Sequence, residues 1–149
     1  MIAGPADPQL PGYGELIHRH ASAEVYFMPP AIYALVGTGP VTGACMEECF
    51  RMIYAHPRFQ DSHGIIFHPG KWTIDRDAQA LHERGIVRPA TLIVGVSDSY
   101  AMHMLGRIIN VSTRRYLKTP FAVKSTYQEA VQELQRALDR AAAQGPRDR

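Results

Sequence analysis

Four times along this chain a short apolar run is followed by residues with helical spacing. Ala31-Ile32-Tyr33-Ala34-Leu35-Val36 precedes the segment 45–53, and Gly64-Ile65-Ile66-Phe67 precedes 75–83. Thr91-Leu92-Ile93-Val94-Gly95-Val96 precedes 99–109, and Phe121-Ala122-Val123 precedes 127–141. A strand that is apolar at successive positions has both faces buried, so helices must cover both sides of its sheet. Alternation of such strands with helices points to the α/β class and a largely parallel sheet. The chain's 149 residues fit one domain. A domain of that size buries enough surface to need neither disulfides nor a structural metal.

Ahead of the rhythm, residues 24–28 are rich in β-formers and read as a strand, and 15–20 read as a further short one. Pro29-Pro30 cannot donate ladder hydrogen bonds, so the chain bends there and 24–28 pairs with 31–36 as an antiparallel hairpin. Thr42 is placed to cap the first helix, with Glu47 and Glu48 early in it, and Pro57 ends it near 54–56. Asp75 opens a helix to residue 83, with Gly85 as its stop. Ser97-Asp98-Ser99 offers caps for a helix running to about 113 and carrying Met102, Leu105, Ile108 and Ile109. Tyr127, Ala130, Val131, Leu134, Ala137, Leu138 and Ala141 keep three-four spacing in the last helix. Ser125 with Gln128, or Thr126 with Glu129, forms a capping box at its start. The expectation is a single α/β domain over residues 23–142, with a mixed sheet of four to five strands and about four helices. An extended or partly ordered lead occupies 1–22 and a charged tail 143–149.

A formal net charge of +2 is too weak to imply nucleic-acid binding, which needs a clustered basic face. Arg114, Arg115 and Lys118 are the densest basic group, suited to a solvated helix end or to an anionic contact. No apolar run reaches the roughly 18 residues of a membrane-spanning helix, and the first residues lack a secretory pattern. A cytoplasmic protein is therefore expected. Cys45 and Cys49, the only cysteines, are four apart and share a helix face with Met46, Phe50 and Ile53. Core burial explains them. No second pair follows at zinc spacing, so no metal centre is expected.

Gly37-Thr38-Gly39-Pro40 lies where a phosphate loop would, but Thr42 stands in the place of the third glycine of a dinucleotide fingerprint. A tight turn accounts for it, and no cofactor is implied. His18 and His20 would share a strand face without an evident third ligand, whereas His63 and His68 would point to opposite faces. His68 ends a strand at the sheet edge where open α/β sheets place ligand clefts. Ser97 or Ser99 with His68 and Asp75 or Asp98 would be the members of a hydrolytic group, but no Gly-x-Ser-x-Gly elbow surrounds either serine. No residue is assigned a catalytic role. Trp72, the single tryptophan, lies in a loop and suits a ligand or partner contact, or a place over the core edge.

The order of elements resembles the STAS-like group of small bacterial proteins, including the SpoIIAA-like family. Tyr33-Ala34-Leu35-Val36-Gly37-Thr38-Gly39-Pro40-Val41-Thr42, His56-Pro57-Arg58-Phe59, residues 90–102 and the closing Phe121-Ala122-Val123-Lys124 unit carry the resemblance, over about residues 24–140. It implies a non-catalytic regulatory or protein-interaction module. In anti-sigma-factor antagonists of this type a phosphorylatable serine opens the helix after the strand that matches Ile65–His68. Here Gly70-Lys71-Trp72-Thr73-Ile74-Asp75 offers only Thr73, and His68 stands where the family often has Asp. The residues singled out for ligand or partner contact are His68, Trp72, Thr73, Ser99 and Tyr100. The partner classes left open are a protein, a small apolar or lipid-like ligand, and a second copy of the chain as a homodimer.

Overall fold

A computed structural model describes residues 14–39, 42–68, 87–116 and 118–144. Six strands form one mixed sheet in the order β1-β2-β3-β4-β5-β6. They are β1 (Glu15–His20), β2 (Ala23–Met28), β3 (Ile32–Gly37), β4 (Gly64–His68), β5 (Leu92–Val96) and β6 (Phe121–Lys124). Among the described residues there are three helices: α1 (Gly43–Tyr54), α2 (Tyr100–Tyr116) and α3 (Tyr127–Gln144). The sheet corrects the expected four to five strands. The extra strand is β1, a polar edge strand whose alternation is broken by a register shift between Leu16 and His18. The helix expected at 75–83 lies outside the described residues.

The β1–β2 and β2–β3 pairs are antiparallel, Val25 opposite Leu35 and Phe27 opposite Tyr33. β3 through β6 are parallel, with Ile65 beside Tyr33 and Ile93, and Val94 beside Ala122. Alternate side chains split the core into two layers. Val25, Phe27, Tyr33, Leu35, Ile65 and Ile93 pack with Cys45, Cys49, Phe50 and Ile53 of α1. Tyr26, Ala34, Val36, Ile66, Val94 and Val96 pack with Tyr127, Ala130, Leu134 and Ala137 of α3. Both faces of the central strands are thus dry, which is why their sequences are continuously apolar.

Helix α2 lies on the α1 side, against β6. Its Gly106 comes so close that an added Cβ would sit 2.5 Å from Val123, and Phe121 on that same strand face joins the α1 layer. Asn110 of α2 accepts a hydrogen bond from the Phe121 N–H at 2.7 Å. Gly64 plays the matching part for α3, since a Cβ there would meet Leu134 at 2.6 Å. The caps form as the sequence indicates: Thr42 accepts from the Cys45 N–H, and Thr126 and Glu129 exchange bonds as a capping box. Glu47 and Glu48 fall beyond the first turn of α1, because the helix begins at Gly43.

Candidate functional site

Parallel strands β4 and β5 bring His68 and the Ser97-Asp98-Ser99 turn to one edge of the sheet. His68 follows Ile66 on the α3 side, where its ring lies parallel to Tyr127 with centroids 6.0 Å apart. Burial pushes its pKa down, so it is neutral at pH 7. The serines are occupied in starting α2 on the other side. Ser97 Oγ accepts from the Ser99 N–H, His103 donates through Nε2 to the Ser97 carbonyl, and the Ser99 carbonyl accepts from the His103 N–H. Tyr100 opens the helix and is 79% exposed. His68 packs on the α3 side, and Ser99 and Tyr100 are sequence neighbours at the start of α2. Trp72, Thr73 and Asp75 lie outside the described residues.

Tyr100 begins something that periodicity did not reveal. Met104, Ile108 and Val111 follow it at helical spacing, and Ile108 and Val111 are 68% and 66% exposed. These four are the exposed large apolar side chains of the described residues, apart from Leu16 on β1. Spacings of four, four and three place them on one stripe pointing away from β6. Arg107 and Arg115 are exposed beside it. No acidic residue occurs between Asp98 and Glu129, a stretch that holds five Lys and Arg. An apolar face on a helix whose other face is docked is the kind of patch that marks a contact site.

Two further clusters lie elsewhere. At the amino edge of the sheet a cavity of about 350 Å³ is lined by Phe59, His63, Arg88 and Thr91 among others. The Arg88 guanidinium lies 4.5 Å from the Tyr54 ring centre, and the Arg88 N–H donates to the Tyr54 hydroxyl. His63 is buried, with Nδ1 at 2.9 Å from the carbonyls of Gln60 and Asp61. Carbonyls only accept, so Nδ1 carries the proton and Nε2 is left as an acceptor, which has no hydrogen-bond partner among the described residues. Burial lowers the His63 pKa and keeps it neutral.

Between β1 and α1, His18 Nε2 meets a Glu48 carboxylate oxygen at 2.7 Å, and His20 Nε2 is 3.9 Å from the other. The two histidines do share a face, and α1 supplies a carboxylate that strand spacing could not show. Among the described residues no group of three His, Cys, Asp or Glu side chains is arranged to hold a metal ion. Cys45 and Cys49 lie in the core beneath. Burial raises both thiols, Cys49 to about 12, so neither is a nucleophile at neutral pH.

Among the described residues no helix is long and apolar enough to cross a membrane. Comparison with protein-family models, curated proteins and solved structures gives no match.

Proposed function

We propose that this chain is a non-catalytic regulatory or protein-interaction module of STAS-like type, working in the cytoplasm, and that it engages its partner through the outward face of α2. The observation that carries the reading is the exposed stripe of Tyr100, Met104, Ile108 and Val111. Apolar surface left in water forgoes about 25 cal/mol per Å². A stripe at this spacing is the anchor pattern by which a helix docks on an apolar surface of another protein. Its position, starting at the turn that holds Ser99 and Tyr100, joins it to two of the residues expected to make contacts.

A photo-crosslinking residue at position 108 tests the reading in the living host. The expected result is one adduct of fixed mass, absent when the same probe is placed at Gln135 on α3 and lost with Met104→Lys. Equal labelling from both positions contradicts it.

A small-ligand role is the second reading, favoured by the unpartnered Nε2 of His63 beside the amino-edge cavity. Native mass spectrometry of protein purified from its own host tests it. An adduct that disappears with Arg88→Ala sustains the reading, and the bare protein mass rejects it.

A further inference from the structure

We infer that the amino-edge cavity is a binding site for a free α-amino acid with a short apolar side chain. Arg88 would hold its carboxylate, Asp61 and His63 its ammonium group, and Phe59, Pro89 and Ala90 its side chain. This rests on the small-ligand reading above and names the class of ligand.

The first argument is charge. Asp61 and Arg88 both line the cavity of about 350 Å³. Among the described residues neither forms an ion pair, with the other or with any other side chain. Both stand near the His63 imidazole. Burial dominates the lowering of its pKa, the bonds to the 60–61 carbonyls oppose that, and the two charges then act in opposite senses, Asp61 raising and Arg88 lowering. One cavity therefore presents a cation and an anion that leave each other unpaired. A ligand that satisfies both carries both charges, as an amino acid does at neutral pH.

The second argument is hydrogen bonding. The Arg88 guanidinium is held over the Tyr54 and Phe59 rings, at 4.5 and 5.9 Å from their centres, and its backbone N–H donates to the Tyr54 hydroxyl at 2.8 Å. A stacked guanidinium keeps its in-plane donors, and their fork matches a carboxylate. His63 supplies the opposite need. It is 1% exposed, its Nδ1–H is spent on the 60–61 loop, and its Nε2 accepts from no group among the described residues. Only a donor satisfies it, and an ammonium group is all donor.

The backbone argues against phosphate as the occupant. The Arg88 N–H is taken by Tyr54, Pro89 has none, the Ala90 N–H donates to Thr119 Oγ1, and the Thr91 N–H donates to the His63 carbonyl. No amide of residues 88–91 is left to form the nest of N–H groups that cradles an anion with several oxygens. Phe59, Pro89 and Ala90 instead give the cavity an apolar wall.

Chemical-shift titration of the nitrogen-15-labelled full chain with L-leucine and L-valine tests the inference. Two halves of leucine are run beside them: 4-methylpentanoate lacks the ammonium group, and 3-methylbutylamine lacks the carboxylate. The expected result is saturable shifts at residues 60–63 and 88–91 with both amino acids, and binding of each half-ligand weaker by roughly tenfold or more. Arg88→Gln should weaken leucine roughly tenfold without weakening 3-methylbutylamine, and Asp61→Asn should do so without weakening 4-methylpentanoate. Both positions are exposed, so circular dichroism should be unchanged in either variant. No saturable shift with either amino acid overturns the inference. So does a half-ligand that binds as tightly as leucine, leucine binding indifferent to both substitutions, or inorganic phosphate binding at the same residues in preference to leucine. A host adduct that is lost with Arg88→Ala but has no amino acid's mass overturns this inference and sustains the small-ligand reading. A bare protein mass together with a null titration rejects both, so the two fail separately.

Discussion

Helices α2 and α3 are of similar length, lie on opposite sides of one sheet, and end differently in their chemistry. α3 buries Tyr127, Ala130, Leu134 and Ala137 and turns Gln128, Gln132, Gln135, Arg136, Asp139 and Arg140 to water. Its surface is finished by the domain itself, with Glu133 paired to Arg136 at 2.7 Å and held below the usual carboxylate range chiefly by that bond. α2 docks Gly106 against Val123 yet turns Tyr100, Met104, Ile108 and Val111 outward. A helix apolar on both sides satisfies one side within the fold and leaves the other for a partner. The contrast separates residues that hold the domain together from residues that it presents.

The largest effect expected from that contrast is on stability. Leu134→Ala removes a fully buried side chain and should cost about 3 kcal/mol. Ile108→Ala in dilute solution should change stability by no more than about 0.5 kcal/mol. Urea unfolding of both variants measures the difference, and equal losses would erase the distinction. Thr126→Ala comes next, removing one half of the α3 capping box for about 1 kcal/mol.

The smallest effect is on pH dependence. Burial holds His68 below its ordinary value of about 6.5. Between its folded pKa and that value the unfolded chain binds more protons, so stability is full above the window and falls as pH drops through it. His68→Phe, which keeps a ring against Tyr127, should flatten this slope in urea midpoints taken across pH. An unchanged slope would mean that acid acts elsewhere, with His63 the next group to test.

The fold was legible where one local rule decided each residue. Strands at 64–68 and 121–124 follow from apolar runs between turn residues, and α3 follows from unbroken three-four spacing. β1 was half hidden because its bulge puts the Leu16 and His18 pairings out of step. The site was harder. Ser97 and Ser99 read correctly as the start of a helix, yet Ile108 stood with Met102, Leu105 and Ile109 with no side of the helix distinguished. Periodicity cannot tell inward from outward on a helix that is apolar on both. The usable signals were the second stripe at 100, 104, 108 and 111 and the absence of acidic residues from 99 to 128. The pairing of His18 with Glu48 spans 30 positions and depends on α1 crossing β1, which no local pattern encodes. His68 was placed at the right edge, but strand parity sends it to the α3 face.

The account's central claim is that the α2 stripe is bare in the isolated chain and covered in the partnered one. Methyl relaxation by a soluble paramagnetic probe measures this at single side chains. Ile108 should be strongly relaxed in the isolated protein and protected when its host's extract is added, while buried Ile66 is protected throughout. An Ile108 methyl protected at every concentration would contradict the exposed face. One that stays relaxed at every concentration, alone and with its host's extract, would contradict the partner.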